Sequence, residues 1–239
     1  MSGLYLYDLH IHSCLSPCAN DDMTPNNIVN MANLCGLDVI ALTDHNSTKN
    51  TAAAVKAGKK AGLLVIPGME LTTSEEIHVI CLFPDIKKAE KFGEMVLKKL
   101  PKMQNDENIF GTQILMNEND NVIGKEEILL ASSSSISIDD VVSVVSEFGG
   151  GCFPAHIDRQ YTSVISNLGV FPVDCGFCAA EVTEFGVLED LYQLGLPKKM
   201  PVLGDSDAHM LEKIGIREKK MKLPSLSAKA VIDFITAKY

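Results

Sequence analysis

Seven short apolar runs, each bearing a histidine or an acid, constrain this chain more than any other feature. They are LYLYDLHIH (4–12), DVIALTDH (38–45), LLVIPGMEL (63–71), EIHVICLF (76–83), GGCFPAHI (150–157), CAAEVTEF (178–185) and MPVLGDSDAH (200–209). Runs of this length, rich in β-branched residues and closed by turn residues, read as buried strands, and helical stretches separate most of them. Alternating strands and helices predict βα units around a largely parallel sheet. A chain of 239 residues with 46% hydrophobic content suits a single α/β barrel.

Helix signals fit that plan. Thr24 is a capping residue and Pro25 occupies the first helical position, where its missing N–H is not needed. Ile28, Met31, Ala32 and Cys35 then share a face, and Gly36 stops the helix. Ser137 and Asp140 approximate a capping box ahead of Val141, Val142, Val144 and Val145. The stretch 225–238 reads as a closing helix. Residues 102–135 break the rhythm with NENDN and a serine run, which predicts a hairpin or an insertion; long insertions in barrels commonly lie over the active face.

The polar residues fall where a barrel builds its site, at the strand ends. His10 and His12 sit two apart and so project to one side of the first run. His45 ends the second, Glu70 closes the third, His78 lies in the fourth, His156 ends the fifth, and Asp207 with His209 ends the seventh. A single histidine in an apolar strand is ordinarily a hydrogen-bonded core residue. Six of them, gathered with Glu70 and Asp207, would be costly to bury without compensation, and divalent ions supply it. Imidazole and carboxylate together suit manganese, iron or zinc better than calcium or magnesium.

Five segments, DLHIHS, ALTDHNS, GMELT with the following IHVI, PAHIDR and GDSDAH, resemble in order the motifs of the PHP (polymerase and histidinol phosphatase) superfamily, over about residues 5–83 and 150–215. The resemblance implies a distorted seven-stranded barrel holding two to three divalent ions. It implies that His10, His12, Glu70 and Asp207 hold one ion, while Glu70 bridges to a second held by His78 and His156. The third would take His45, His209 and an acid from the first loop, with Glu70, Asp207 and His156 at the catalytic centre. That acid is where the chain departs from the family. An aspartate usually follows the residue matching Ser16, but here Pro17 stands there in a longer loop, SPCANDD; Asp21 or Asp22 is the expected substitute and Cys18 a weaker one.

The activity so implied is metal-dependent hydrolysis of a phosphate ester, in which bridged ions lower the pKa of a shared water and aim the hydroxide at phosphorus. Candidate substrates are a phosphomonoester, a 5′-nucleotide or a short oligoribonucleotide. Histidinol phosphate, or a non-catalytic module stabilised by metal, remain alternatives. Arg159, three residues past His156, could offer its planar fork to a phosphate or simply pair with an acid such as Asp158. Asp44 and Asp205 flank ligands and are expected to orient imidazoles; Glu181 ends a strand on the same face and is left outside the ligand set.

The net charge of −10 argues against binding long duplex nucleic acid by phosphate neutralisation, leaving a small or single-stranded substrate as the expected partner. The start MSGLYLYDLHIHS lacks the basic and apolar regions of a leader, and no run reaches the roughly 18 apolar residues of a membrane span, so a cytoplasmic protein with reduced thiols is expected. Cys175 and Cys178 form a CxxC without two further evident ligands, and Lys87, Lys88, Lys91, Lys98 and Lys99 read as a solvated helix face or a guide for an anionic substrate. Oligomeric state is not legible.

Overall fold

The computed structural model describes residues 2–217 and 219–239. The strands are β1 (Gly3–Ile11), β2 (Val39–Leu42), β3 (Leu64–Thr72), β4 (His78–Leu82), β5 (Ile114–Met116), β6 (Val122–Lys125), β7 (Gly151–Pro154), β8 (Ala180–Glu181), β9 (Val202–Leu203) and β10 (Lys219–Leu223). The helices are α1 (Pro25–Leu34), α2 (Thr51–Ala61), α3 (Ile86–Lys99), α4 (Glu107–Phe110), α5 (Ile138–Glu147), α6 (Val164–Leu168), α7 (Leu188–Gln193) and α8 (Ala228–Thr236). All seven apolar runs contain a strand.

Six strands form one curled sheet in the order β10-β1-β2-β3-β4-β7, and β8 pairs with β9 in a separate parallel ladder. The expected count of seven strands in one ladder is therefore not what the pairing gives. Two backbone links span the gaps: Ile157 N–H donates to the Glu181 carbonyl at 2.9 Å, and Ile11 bridges Ala208 in parallel. The strands β1, β2 and β3 run parallel, whereas β4 is antiparallel to both β3 and β7. This reversal puts the start of β4 at the same rim as the ends of β3 and β7, with His78 opposite Thr72.

Both faces of the sheet are covered, which explains why its strands read as continuous apolar runs rather than alternating ones. Successive residues of β2 show the division. Val39 and Ala41 face the inside of the curl with Leu9, Ile66, Ile80 and Phe153, while Ile40 and Leu42 pack under α1 and α2 with Ile28, Val29, Ala54 and Ala57. At the rim opposite His78, α8 seats Ile235 and Thr236 against Gly151, where any Cβ would collide. The strand β10 passes unnoticed in the sequence because lysines fill three of its five positions. Met221 and Leu223 are nonetheless buried between them, and lysine on an edge strand also discourages further pairing.

The helix boundaries follow their caps. Thr24 accepts from Asn27 N–H, Pro25 opens α1, and the buried face is Ile28, Val29 and Ala32, with Cys35 turned outward as the cap. Ser137 caps α5 by accepting from Asp140 N–H, and its hydroxyl donates to the Asp140 carboxylate. Helix α3 buries Ala89, Phe92 and Val96 and leaves its five lysines exposed.

Residues 102–135 do contain a hairpin, β5 with β6. This segment lies along the site rim, because Ile114 N–H donates to Cys14 O at 2.9 Å and Asn46 Nδ2 donates to the carbonyls of Leu130 and Ser132 at 2.7 and 2.8 Å. Among the described residues no helix is long and apolar enough to cross a membrane, and all seven cysteines are unpaired.

Candidate metal centre

All six histidines converge on one cavity at this rim. Glu70 is its hub: Oε1 lies 2.8 Å from His78 Nδ1, 3.2 Å from His10 Nε2 and 3.3 Å from His156 Nε2, while Oε2 lies 2.9 Å from His45 Nδ1 and 3.3 Å from His12 Nε2. Asp207 Oδ1 adds a second carboxylate 3.1 Å from His10 Nε2 and 3.2 Å from His12 Nε2. Strand geometry places these groups. Glu70 is held in register by the Asn46 N–H donating to its carbonyl at 2.9 Å, and the β1 histidines alternate with buried Leu9 and Ile11. His156 and Asp207 adopt φ of 30° and 50°, a left-handed conformation that strains residues other than glycine, of order 1–3 kcal/mol each. The turns that follow β7 and β9 thereby aim both side chains inward.

Apart from the 3.3 Å hydrogen bond between His156 Nε2 and Glu70 Oε1, these contacts are close without being hydrogen bonds. His45 Nδ1, His78 Nδ1, Glu70 Oε2 and Asp207 Oδ1 are buried with no hydrogen-bond partner among the described residues, although nitrogens and oxygens face one another within about 3 Å. Orphaned, convergent lone pairs of this kind are what a cation satisfies. Three groups have ligand atoms within 4.8 Å of one another: His10, His12, Glu70 and Asp207; His45, Glu70 and His78; and His12, His45 and His209. The residues fit divalent ions, and the first group is the one the sequence predicts.

Other predicted residues land differently. His156 meets Glu70 but joins none of the three groups, and His45 takes its place beside Glu70 and His78. Asp21 and Asp22 are exposed and stand outside all three. Arg159 does reach the cleft, where Nη1 pairs with Asp207 Oδ2 rather than with Asp158; Asp158 instead accepts from Thr183 and Glu184. Neither Asp44 nor Asp205 touches an imidazole, contrary to expectation. Asp44 binds the hydroxyls of Ser13 and Ser16, and Ser16 Oγ in turn contacts His12 Nδ1 at 2.9 Å; Asp205 accepts the Leu9 N–H. The carboxylate that does hold an imidazole is Glu181, whose Oε2 lies 2.9 Å from His10 Nδ1. Only its place at the end of an apolar run signals this in the sequence.

Burial opposes every charge here, yet opposite charges prevail at most positions. Against burial, His78, His10 and His45 hold Glu70 well below the usual carboxylate range, and His10 does the same for Asp207. Against burial again, Asp207 and Glu181 raise His10 well above an ordinary imidazole, and Glu70 does so for His45. At His78 burial wins and lowers it. Burial would raise the Cys18 thiol, but the neighbouring His209 and His45 imidazoles pull it down to about 5.

An α/β sheet with a histidine–carboxylate cavity at one rim defines a class of proteins built to hold divalent ions. Within that class the chain belongs to the PHP domain family, whose model matches residues 8–168. Two similar proteins are a 5′-3′ exoribonuclease of Haemophilus influenzae, 35% identical over 79 residues covering 32% of this chain, and the 5′-3′ exoribonuclease Rnm of Salmonella typhimurium, 35% identical over 86 residues covering 34%. The matched stretch spans 28% of the length of each exoribonuclease. Among solved structures the fold is similar to the lesion-specific endonuclease of Pyrococcus furiosus, with a TM-score of 0.67 and 17% identity, covering 98% of this chain and 56% of that one. It is also similar to a metal-dependent phosphoesterase from Bifidobacterium adolescentis, with a TM-score of 0.59 and 19% identity, covering 85% and 87%.

Proposed function

We propose that this protein hydrolyses phosphate esters at a multi-metal centre, acting on a 5′-nucleotide or the 5′-phosphorylated end of a short single-stranded RNA. The observation that carries the reading is the convergence of six imidazoles on Glu70 and Asp207, with His45 Nδ1, His78 Nδ1, Glu70 Oε2 and Asp207 Oδ1 left without hydrogen-bond partners among the described residues. Manganese, iron or zinc ions bound there would supply Lewis acidity and an activated water near neutral pH. His10, His12, Glu70 and Asp207 would hold one ion, Glu70 would be shared with a second held by His78 and by His45 or His156, and His45 with His209 would serve the third.

The chain's own residues do the rest. Glu181 fixes the ring of His10, and Ser16 fixes that of His12. Arg159, its side chain 42% exposed, reaches the cavity through Asp207, and its guanidinium suits the oxygens of a terminal phosphate. A net charge of −10 disfavours long duplexes, and the likeness to two exoribonucleases favours a short single strand. We read β1, β2, β3, β4, β7, β8 and β9 as one distorted seven-stranded barrel, joined by the Ile157–Glu181 and Ile11–Ala208 links, with residues 102–135 inserted in a single catalytic domain.

The test is turnover by chelated protein reloaded with manganese, iron or zinc, on short RNA with and without a 5′-phosphate, nucleoside mono- and bisphosphates, and histidinol phosphate. Metal-dependent hydrolysis of the nucleotides or the phosphorylated RNA is expected. Turnover of histidinol phosphate alone, or of nothing, would overturn the proposal.

A further inference from the structure

The chain carries 21 lysines and arginines, and only two of them are arginine, Arg159 and Arg217. The two come from segments far apart in sequence, yet short links bring them to one wall beside the cavity. Asp158, the neighbour of Arg159, accepts the Glu184 N–H at 2.8 Å, and Arg217 Nη1 stands 3.7 Å from Glu184 Oε1. Phe185 follows, its ring so close to Gly204 that a Cβ there would lie 2.6 Å from it, and Lys219 Nζ lies 3.8 Å from the centre of that ring. Arg217 and Lys219 thus flank the turn at 184–185 that follows β8. Arg159 stands at the Asp158 end of the same turn and reaches Asp207 in the cavity.

The guanidinium of Arg217 is loosely held. Its 3.7 Å approach to Glu184 is beyond hydrogen-bond reach, and the Glu184 side chain is 73% exposed, so water screens the pair. Its Nε is buried with no hydrogen-bond partner among the described residues, a cost that an arriving anion offsets. A long, screened pair is served equally well by lysine, which this chain uses almost everywhere else. What arginine adds is a planar fork that matches the oxygens of a phosphate.

We infer that Arg217 binds an internal phosphate of a single-stranded RNA whose terminal phosphate is held in the cavity beside Arg159, so that the site favours an oligonucleotide over a mononucleotide. The inference rests on the hydrolytic reading above and deepens it by choosing between its two substrates. A mononucleotide offers one phosphate, which the cavity and Arg159 occupy. A strand carries further phosphates outward, and the turn at 184–185, with Arg217 and then Lys219, gives them a cationic path of the kind that tracks a single-stranded backbone.

Salt dependence reports a phosphate contact directly, because each neutralised phosphate of a single strand adds about 0.7 to the slope of log affinity against log salt. Chelated wild type, Arg217→Ala, Arg217→Lys and Glu184→Gln proteins would be titrated with a short 5′-phosphorylated RNA labelled at its 3′ end, following fluorescence anisotropy over a range of salt. Arg217→Ala should bind about tenfold more weakly, with a slope shallower by about 0.7. Arg217→Lys should keep the slope and lose part of the affinity. Glu184→Gln removes the competing carboxylate and should bind more tightly than wild type, an effect of opposite sign that does not depend on how Arg217→Ala folds. In manganese-loaded protein, Arg217→Ala should raise KM for the RNA about tenfold, with metal content and kcat/KM on a 5′-mononucleotide unchanged. An unchanged slope in Arg217→Ala, equal losses on RNA and mononucleotide, or no tightening in Glu184→Gln would overturn the inference and leave the hydrolytic reading standing. The expected slopes in a wild type that cleaves neither substrate would overturn the hydrolytic reading and support the phosphate contact.

Discussion

Glu181 and His10 lie 171 positions apart in the chain, yet Glu181 Oε2 stands 2.9 Å from His10 Nδ1 and its Oε1 accepts the His156 N–H at 3.1 Å. One carboxylate from a two-residue strand thus orients a ring on β1 and secures the strained turn after β7. Glu181→Gln preserves the shape but turns an amide N–H₂ towards one of these two donors. Metal affinity should fall about 10- to 100-fold, read by competitive titration with a chromophoric chelator. An unchanged affinity would mean that ring orientation does not depend on this residue.

Glu70 belongs to two of the three metal-capable groups, whereas His78 belongs to one and His156 to none. Glu70→Gln should therefore lower metal content by more ions per chain than His78→Ala or His156→Ala. Metal analysis of the three variants, reconstituted in parallel, makes the comparison. Equal losses would argue against a shared carboxylate.

Arg159 Nη1 pairs with Asp207 Oδ2 at the cavity. An ion bound to that carboxylate would neutralise it and leave the guanidinium available to a terminal phosphate. Arg159→Lys keeps the charge and loses the fork, so kcat/KM on 5′-phosphorylated substrates should fall roughly tenfold to a hundredfold, as expected for losing a charge-assisted hydrogen bond of about 1.5–3 kcal/mol. Metal content should be unchanged. A drop in bound metal with turnover per loaded site intact would instead assign Arg159 to the support of Asp207.

The metal-free protein should respond to pH in the opposite sense to the loaded one. With burial opposing them, the carboxylates around His10 and His45 raise both imidazoles, so their stabilisation is complete below the ordinary imidazole value of about 6.5 and is lost as pH rises through the raised values. Burial also raises Asp8 and Asp205, which acts in the same direction. The depressed Glu70 and Asp207 contribute stability above the ordinary carboxylate range and lose it only in stronger acid. The melting temperature of chelated protein should thus decline from mildly acidic to alkaline pH, while the loaded protein, whose ligands must be deprotonated, gains stability over the same interval. Parallel curves for the two forms would contradict the charge balance inferred for the cavity.

Much of this protein is written locally. A strand buried on both faces must be apolar throughout, so the seven runs announce themselves, and imidazoles at their ends stand out against that background. Thr24 with Pro25, and Ser137 with Asp140, mark helix starts because capping involves residues only three apart. Tertiary structure decided what depends on direction and distance. Nothing within residues 78–82 states that β4 runs antiparallel, yet this alone brings His78 to the rim at its start. The lysines of β10 hide an edge strand whose partner, β1, lies at the other end of the chain. Asp44, Asp205 and Glu181 are alike as acids near strand ends, and only packing makes Glu181 the one that meets an imidazole. The first loop shows the same division: its sequence offers Asp21 and Asp22 as acids for the site, and the folded loop leaves both exposed and outside the three metal-capable groups. Sequence spacing fixes which side chains share a strand face, but which of them meet across the cavity depends on contacts between segments that the chain itself keeps far apart.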